Sequence, residues 1–198
     1  MTAEGKIRSF LALEPPEEVL GQIASIQDRL RKVLRGDIRW VRPEGIHLTL
    51  RFFAGISPDE ASDVGTAVGK AADQERPFSL AAGGLGLFPD PRRPRVLWLG
   101  LGGDVERLLA FQRRTEQALV QIGFPREERP FRPHLTLGRI RTARGLADLA
   151  RALEKSQEYA AGRFVAPGLA LIQSRLTPGG ALYTRLAWFP FSGNTANP

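Results

Sequence analysis

The sequence predicts an α+β fold of two lobes, built from a duplicated unit whose copies are related by an approximate two-fold axis. Three observations carry this. Strand and helix periodicities follow the same order twice along the 198 residues. The tetrapeptide His-Leu-Thr-Leu occurs at 47–50 and again at 134–137. These two copies hold both of the chain's histidines, and each histidine has Arg-Pro five and four residues upstream. The expected organisation is a single bilobal domain over 1–191, with one His-x-Thr-x motif in each repeat, and a disordered tail over 192–198.

The first half opens with a strand, "IRSFLALE" at 7–14, in which apolar residues alternate or run together. Pro15 and Pro16 then start a helix to about Leu34, with Leu20, Ile23, Ile26, Leu30 and Val33 on one face. The next strand carries "IHLTLRFF". Ser57-Pro58-Asp59-Glu60 forms a capping box that starts a helix to about Ala72. A strand near "FSLAAGGLGLF" and the loop "PDPRRPR" complete the half. In the second half, "VLWLGLG" at 96–102 is a strand. The segment "DVERLLAFQRRTEQALVQIGF" is an amphipathic helix with Leu108, Phe111, Thr115, Leu119 and Ile122 inward. "HLTLGRI" is the second histidine-bearing strand, and a helix follows around "GLADLARALEKSQ". Two strands, "FVAPGLALIQSRL" and "ALYTRLAWF", meet at the turn Thr177-Pro178-Gly179-Gly180. Each half therefore reads strand, helix, histidine-bearing strand, helix, strand, and each half is expected to form one lobe.

Composition narrows the function. There is no Cys, which excludes disulfides, thiolate metal sites and Cys nucleophiles. The N-terminal apolar run is too short for a signal peptide and no stretch reaches membrane-spanning length, so the expected location is the cytoplasm, away from membranes. The net charge of +7 favours a polyanionic partner, nucleic acid first. Of the 28 basic residues 24 are Arg, whose planar fork suits bidentate phosphate binding, although codon bias gives the same ratio.

Side chains alternate across a strand, so in His-Leu-Thr-Leu the histidine and threonine face one way and the leucines the other. The leucines can enter a core while His47 and Thr49 face His134 and Thr136 across a cleft. Chance places Leu-Thr-Leu after both histidines on the order of once in a million sequences of this composition. Two histidines without a third donor make a poor zinc site. They suit acid–base chemistry, since imidazole titrates near neutrality. Threonine hydroxyls can bond a non-bridging phosphate oxygen and a nearby arginine can hold its charge. A base, an acid and oxyanion donors suit phosphodiester hydrolysis of a primed substrate such as a ribose 2′,3′-cyclic phosphate, with no metal and no cofactor.

At this point the sequence resembles the two-histidine phosphoesterases, and most closely the LigT-like RNA 2′,3′-cyclic phosphodiesterases. "RWVRPEGIHLTLRFFAGI", "FPDPRRPRVLWLGL", "RPFRPHLTLGR" and "SRLTPGGALYTRLAWFPF" carry the likeness, which spans nearly the whole chain. The resemblance implies antiparallel sheets lining a central basic cleft, with helices on the outer faces. It implies hydrolysis of RNA or nucleotide 2′,3′-cyclic phosphate termini to 2′-phosphomonoesters. His47 is then the proton donor and His134 the proton acceptor, with Thr49 and Thr136 binding the phosphate; the residues alone do not fix that direction. The expected partners are RNA with cyclic phosphate ends or small cyclic nucleotides, bound by a monomer. Reverse, ligating activity that makes 2′-5′ linkages and a non-catalytic basic RNA-binding module are the alternatives.

Three arginines compete for the phosphate. Arg132 shares the parity of His134. Arg139 lies opposite in an unbroken strand, but a bulge near Gly138 returns it to the cleft. Arg51 lies on the His47 side when faces are counted by twos, and ranks below the other two. Trp40 and the loop arginines Arg92, Arg93 and Arg95 are candidates for the nucleotide side of the site. Trp98 alternates within its strand and is assigned to the core.

Overall fold

Alternating apolar residues in Ile7–Leu13 form β1, with Leu11 and Leu13 fully buried. The computed structural model describes residues 5–142, 148–178 and 180–193. Pro16 sits at the N-cap of α1 (Glu17–Val33), whose Glu17 and Glu18 complement the positive end of the helix dipole. Ile23, Ile26 and Leu30 are buried as expected, joined by Val19, while Val33 is exposed. A short strand, β2 (Ile38–Trp40), and a 3-10 turn at Pro43–Gly45 precede β3 (Leu48–Ile56). The expected capping box opens α2 (Pro58–Asp73). Glu60 N–H donates to Ser57 Oγ at 3.1 Å, and Ser57 N–H to the Glu60 carboxylate at 2.7 Å.

The chain continues as β4 (Phe78–Phe88), β5 (Val96–Gly103), α3 (Val105–Gln121) and β6 (His134–Ile140). On α3, Leu108, Phe111, Thr115 and Leu119 are buried, but Ile122, just past its end, is exposed. The last elements are α4 (Leu149–Glu154), β7 (Ala160–Ala166), β8 (Gly168–Thr177) and β9 (Gly180–Pro190). The expected helix around 145–157 is thus shorter, and its start at 145–147 lies outside the described residues, as does Gly179 of the expected turn. Of the expected tail, Ser192 and Gly193 hydrogen-bond to the backbone of Asp73 and Glu75, and 194–198 lie outside the described residues.

The strands form two antiparallel sheets, ordered β3-β1-β8-β9 and β2-β6-β5-β4-β7. Here the expectation that each half makes its own lobe is corrected. β4 of the first half pairs with β5 and β7, while β8 and β9 of the second half complete the sheet of β1 and β3. The single strand expected over 164–176 divides at Pro167, which cannot donate a ladder hydrogen bond. The chain there passes from one sheet to the other. One contiguous core takes Leu11, Leu48 and Leu50 from the first sheet and Leu97, Leu135 and Leu137 from the second, with helix residues between.

Candidate active site

Both histidine motifs obey strand alternation. Leu48, Leu50, Leu135 and Leu137 are buried, whereas His47, Thr49, His134 and Thr136 are half-buried on the opposite, cleft-facing side. Each threonine shares the half-buried face of its own histidine, and the charge of His134 acts on His47, so the two motifs lie within electrostatic reach of each other. Neither threonine hydroxyl has a hydrogen-bond partner among the described residues, so both are available to a ligand.

Each imidazole is tied to backbone two residues before it. His134 Nδ1 lies 2.7 Å from the Arg132 carbonyl oxygen, and the His47 ring bonds to the backbone of Gly45. A carbonyl only accepts, so Nδ1 of His134 carries a proton and its Nε2 is left as the acceptor when the ring is neutral. Aromatic rings hold both imidazoles. His47 stacks on Phe10 at 4.3 Å between centroids and meets the edge of Tyr183 at 5.3 Å. Phe88 meets His134 edge-on at 4.8 Å, with Trp98 beyond it at 6.1 Å. Burial lowers both pKa values, His47 from 6.5 to about 4. The positive charge of His134 adds to this for His47, and that of Arg139 for His134, while the backbone hydrogen bonds oppose it.

The arginines separate cleanly. In β6 the register passes from Trp98 opposite Thr136 to Leu97 opposite Gly138, so Leu137 is the extra residue of a bulge. Burial shifts phase there and Arg139 emerges on the histidine side, as the expected bulge requires. Arg132 is exposed beside His134, with its carbonyl holding that ring. Arg51 corrects the parity reading. β3 has its own bulge at Leu50, between Thr49 opposite Ala12 and Arg51 opposite Leu11. The bulge turns Arg51 away from the cleft, where it is buried and donates to Glu116 at 2.7 Å and to the Pro125 carbonyl at 2.6 Å. It is therefore a structural cation.

Trp98 is also reassigned: Leu97 and Leu99 enter the core, and Trp98 lies on the cleft face with Phe88. Trp40 packs against the core and takes the Arg31 guanidinium 5.1 Å from its ring centre. Arg92, Arg93 and Arg95 are exposed on the β4–β5 loop, where Asp90 Oδ1 accepts from the backbone of Arg92 and Arg93. Sequence reasoning missed Phe10, Tyr183 and Arg8. The parity of "IRSFLALE" puts Arg8 and Phe10 on one face, but only the pairing of β1 with β3 reveals which face meets His47. No group of three or more His, Cys, Asp or Glu able to hold a metal ion occurs among the described residues.

The model of one family, described as LigT like phosphoesterase, matches residues 13–98 and 102–183. The RNA 2′,3′-cyclic phosphodiesterase of Methanothermobacter thermautotrophicus is 33% identical over 184 residues, covering 93% of this chain and 98% of that protein. The protein of the same name from Aeropyrum pernix is 33% identical over 168 residues, 85% of this chain and 94% of its own length. Among solved structures, a Thermus thermophilus protein matches with a TM-score of 0.78 and 27% identity, over 94% of this chain and 99% of that one. E. coli LigT shares the fold with a TM-score of 0.73 and 22% identity, over 94% and 98% of the two chains. With both histidine motifs inside the matched residues and the match running through nearly the whole fold, the chain belongs to the LigT-like phosphoesterase family.

Proposed function

We propose that the protein hydrolyses RNA or nucleotide 2′,3′-cyclic phosphate ends to 2′-phosphomonoesters, with His134 as general base and His47 as general acid. The observation that carries this reading is the pair of imidazoles, each fixed by a backbone bond two residues upstream and set on facing walls with a free hydroxyl beside it. His134 Nε2 takes a proton from water as the water oxygen bonds to phosphorus. The bond from phosphorus to the 3′ oxygen breaks, and protonated His47 gives that oxygen its proton. Thr49 and Thr136 donate hydrogen bonds to the non-bridging oxygens, and Arg139 and Arg132 balance their charge.

Two asymmetries support this direction. Arg139 acts on His134, and a cation there disfavours a second positive charge, which keeps His134 neutral and open to a proton. His47 is the more strongly desolvated ring, so its imidazolium is the stronger acid once a bound phosphate anion supplies the charge that favours protonation. The names of the relatives point to the same reaction. The opposite direction, joining a 2′-phosphate end, uses the same two groups with roles exchanged.

Phosphorus NMR of a nucleoside 2′,3′-cyclic phosphate, with chelator present, tests the proposal. Wild type yields the 2′-monoester, while His47→Ala and His134→Ala each lose about 10²- to 10⁴-fold in rate. A 3′-monoester would reverse the leaving group. Loss of activity on chelation, restored by a divalent metal, would overturn the metal-free mechanism. No conversion, even of short cyclic-ended RNA, would leave a binding protein.

A further inference from the structure

Beside the histidines lies a cavity of about 400 Å³ between the β2–β6 edge of one sheet and the end of the β8–β9 hairpin of the other. Arg8, Arg39, Arg42 and Arg139 line it, with Glu44 the one carboxylate, and it reaches the active site through Tyr183. Arg39 and Arg139 are direct cross-strand partners, both exposed. Like charges directly opposite on a sheet repel. Neither makes an ion pair among the described residues. The hairpin end closes over them at Gly180, where a Cβ would lie 3.5 Å from the Arg39 guanidinium and φ is +127°. Arg8 reaches the cavity from above Phe52, its guanidinium 4.4 Å from that ring.

Arginines held opposite one another in a walled cavity call for an anion, and their forks suit phosphate. A terminal cyclic phosphate is the last group of its strand, so every other phosphate of the substrate lies on the 5′ side. We propose that this cavity is a second anion subsite, built around the Arg39–Arg139 pair with Arg139 shared between it and the reacting phosphate, which takes the phosphate on the 5′ oxygen of the terminal nucleotide. This rests on the reaction proposed above, and it makes a strand end or a 5′-phosphorylated nucleotide a better substrate than a bare nucleoside cyclic phosphate. Trp40, in the same wall, is then a packed support rather than a stacking platform, because Arg31 already occupies its ring.

Equilibrium binding tests the subsite apart from the reaction. The probes are uridine 2′-phosphate, uridine 2′,5′-bisphosphate and a uridine dinucleotide ending in a 2′-phosphate, each titrated calorimetrically into wild type, Arg39→Gln and Arg163→Gln at fixed salt. Arg163 lies exposed on β7 and controls for net charge alone. The bisphosphate and the dinucleotide should bind wild type and Arg163→Gln about tenfold more tightly than the monophosphate, and Arg39→Gln should lose that preference. Equal binding of all three probes, a preference that survives Arg39→Gln, or an equal loss in Arg163→Gln would each overturn it. A gain for the dinucleotide but not for the bisphosphate would also overturn it, by tracing the gain to the second nucleoside. Turnover of the cyclic phosphates by wild type, measured alongside, reports on the reaction, so the two ideas fail separately.

Discussion

Desolvation and a backbone hydrogen bond pull the His47 imidazole in opposite directions, and desolvation wins, leaving it at about 4. This has a consequence for stability. The folded-state pKa lies below the ordinary 6.5, so between these values the unfolded chain binds the extra proton. Stability contributed by the neutral ring is complete above pH 6.5 and is lost as pH falls from 6.5 to about 4. At pH 4.5 the loss is about 2 kcal/mol, allowing for solvent around this half-buried ring. Urea unfolding at pH 7.5 and 4.5 should therefore show a smaller acid loss for His47→Asn than for wild type, by roughly that amount. The two histidines and two threonines were legible in the sequence, because strand parity and repetition fix which way they point. The rings that hold the histidines were not: Tyr183 reaches His47 from a strand 136 residues later, and nothing local announces that pairing.

At the scale of elements, the two histidine strands share a device that parity alone could not supply. Each is bulged three residues past its histidine, at Leu50 and at Leu137, so the residue five past the histidine returns to the cleft. In one strand that residue is Arg139 and in the other Phe52, over which Arg8 places its own guanidinium. The bulge near Gly138 could be anticipated, since Gly138 has no side chain to bury. The matching one in β3 could not, because Arg51 read as a cleft cation until its burial against Glu116 was seen. That ion pair joins β3 to α3 and, through Pro125 and the backbone of Glu127, to the connection leading into β6. Arg51→Met leaves the Glu116 carboxylate buried without its cation and should cost about 3 kcal/mol in denaturant unfolding. Adding Glu116→Gln should recover part of the loss. A double variant no more stable than the single one would show that the pair contributes through packing and not charge.

For the whole molecule, the order of elements was legible and their partnership was not. Periodicity identifies strands and helices, and the repeat identifies a duplication, but neither says that β4, β8 and β9 cross over. Pro167 was the available signal, a residue that ends a ladder inside what read as one strand. Because of the exchange, neither half holds a complete sheet. Cutting the chain in the exposed loop between Arg92 and Arg93 should give two fragments that each fail to unfold cooperatively. Mixed, they should recover a cooperative transition and the wild-type reaction, as circular dichroism and the phosphorus assay would show. Cooperative unfolding by either fragment alone would mean that a half is a folding unit.

The pairing of β1 with β8 also orders events during synthesis. His47 leaves the ribosome early, yet Ile172, which packs with Phe10 beneath it, comes from β8, and Tyr183 at its edge comes from β9. The first wall of the cleft therefore stays open until β8 and β9 have emerged, while the partner strands of His134 are already made. A ribosome that stops before β8 releases a chain with both histidines and no site between them, so only a chain translated through β9 can assemble the site.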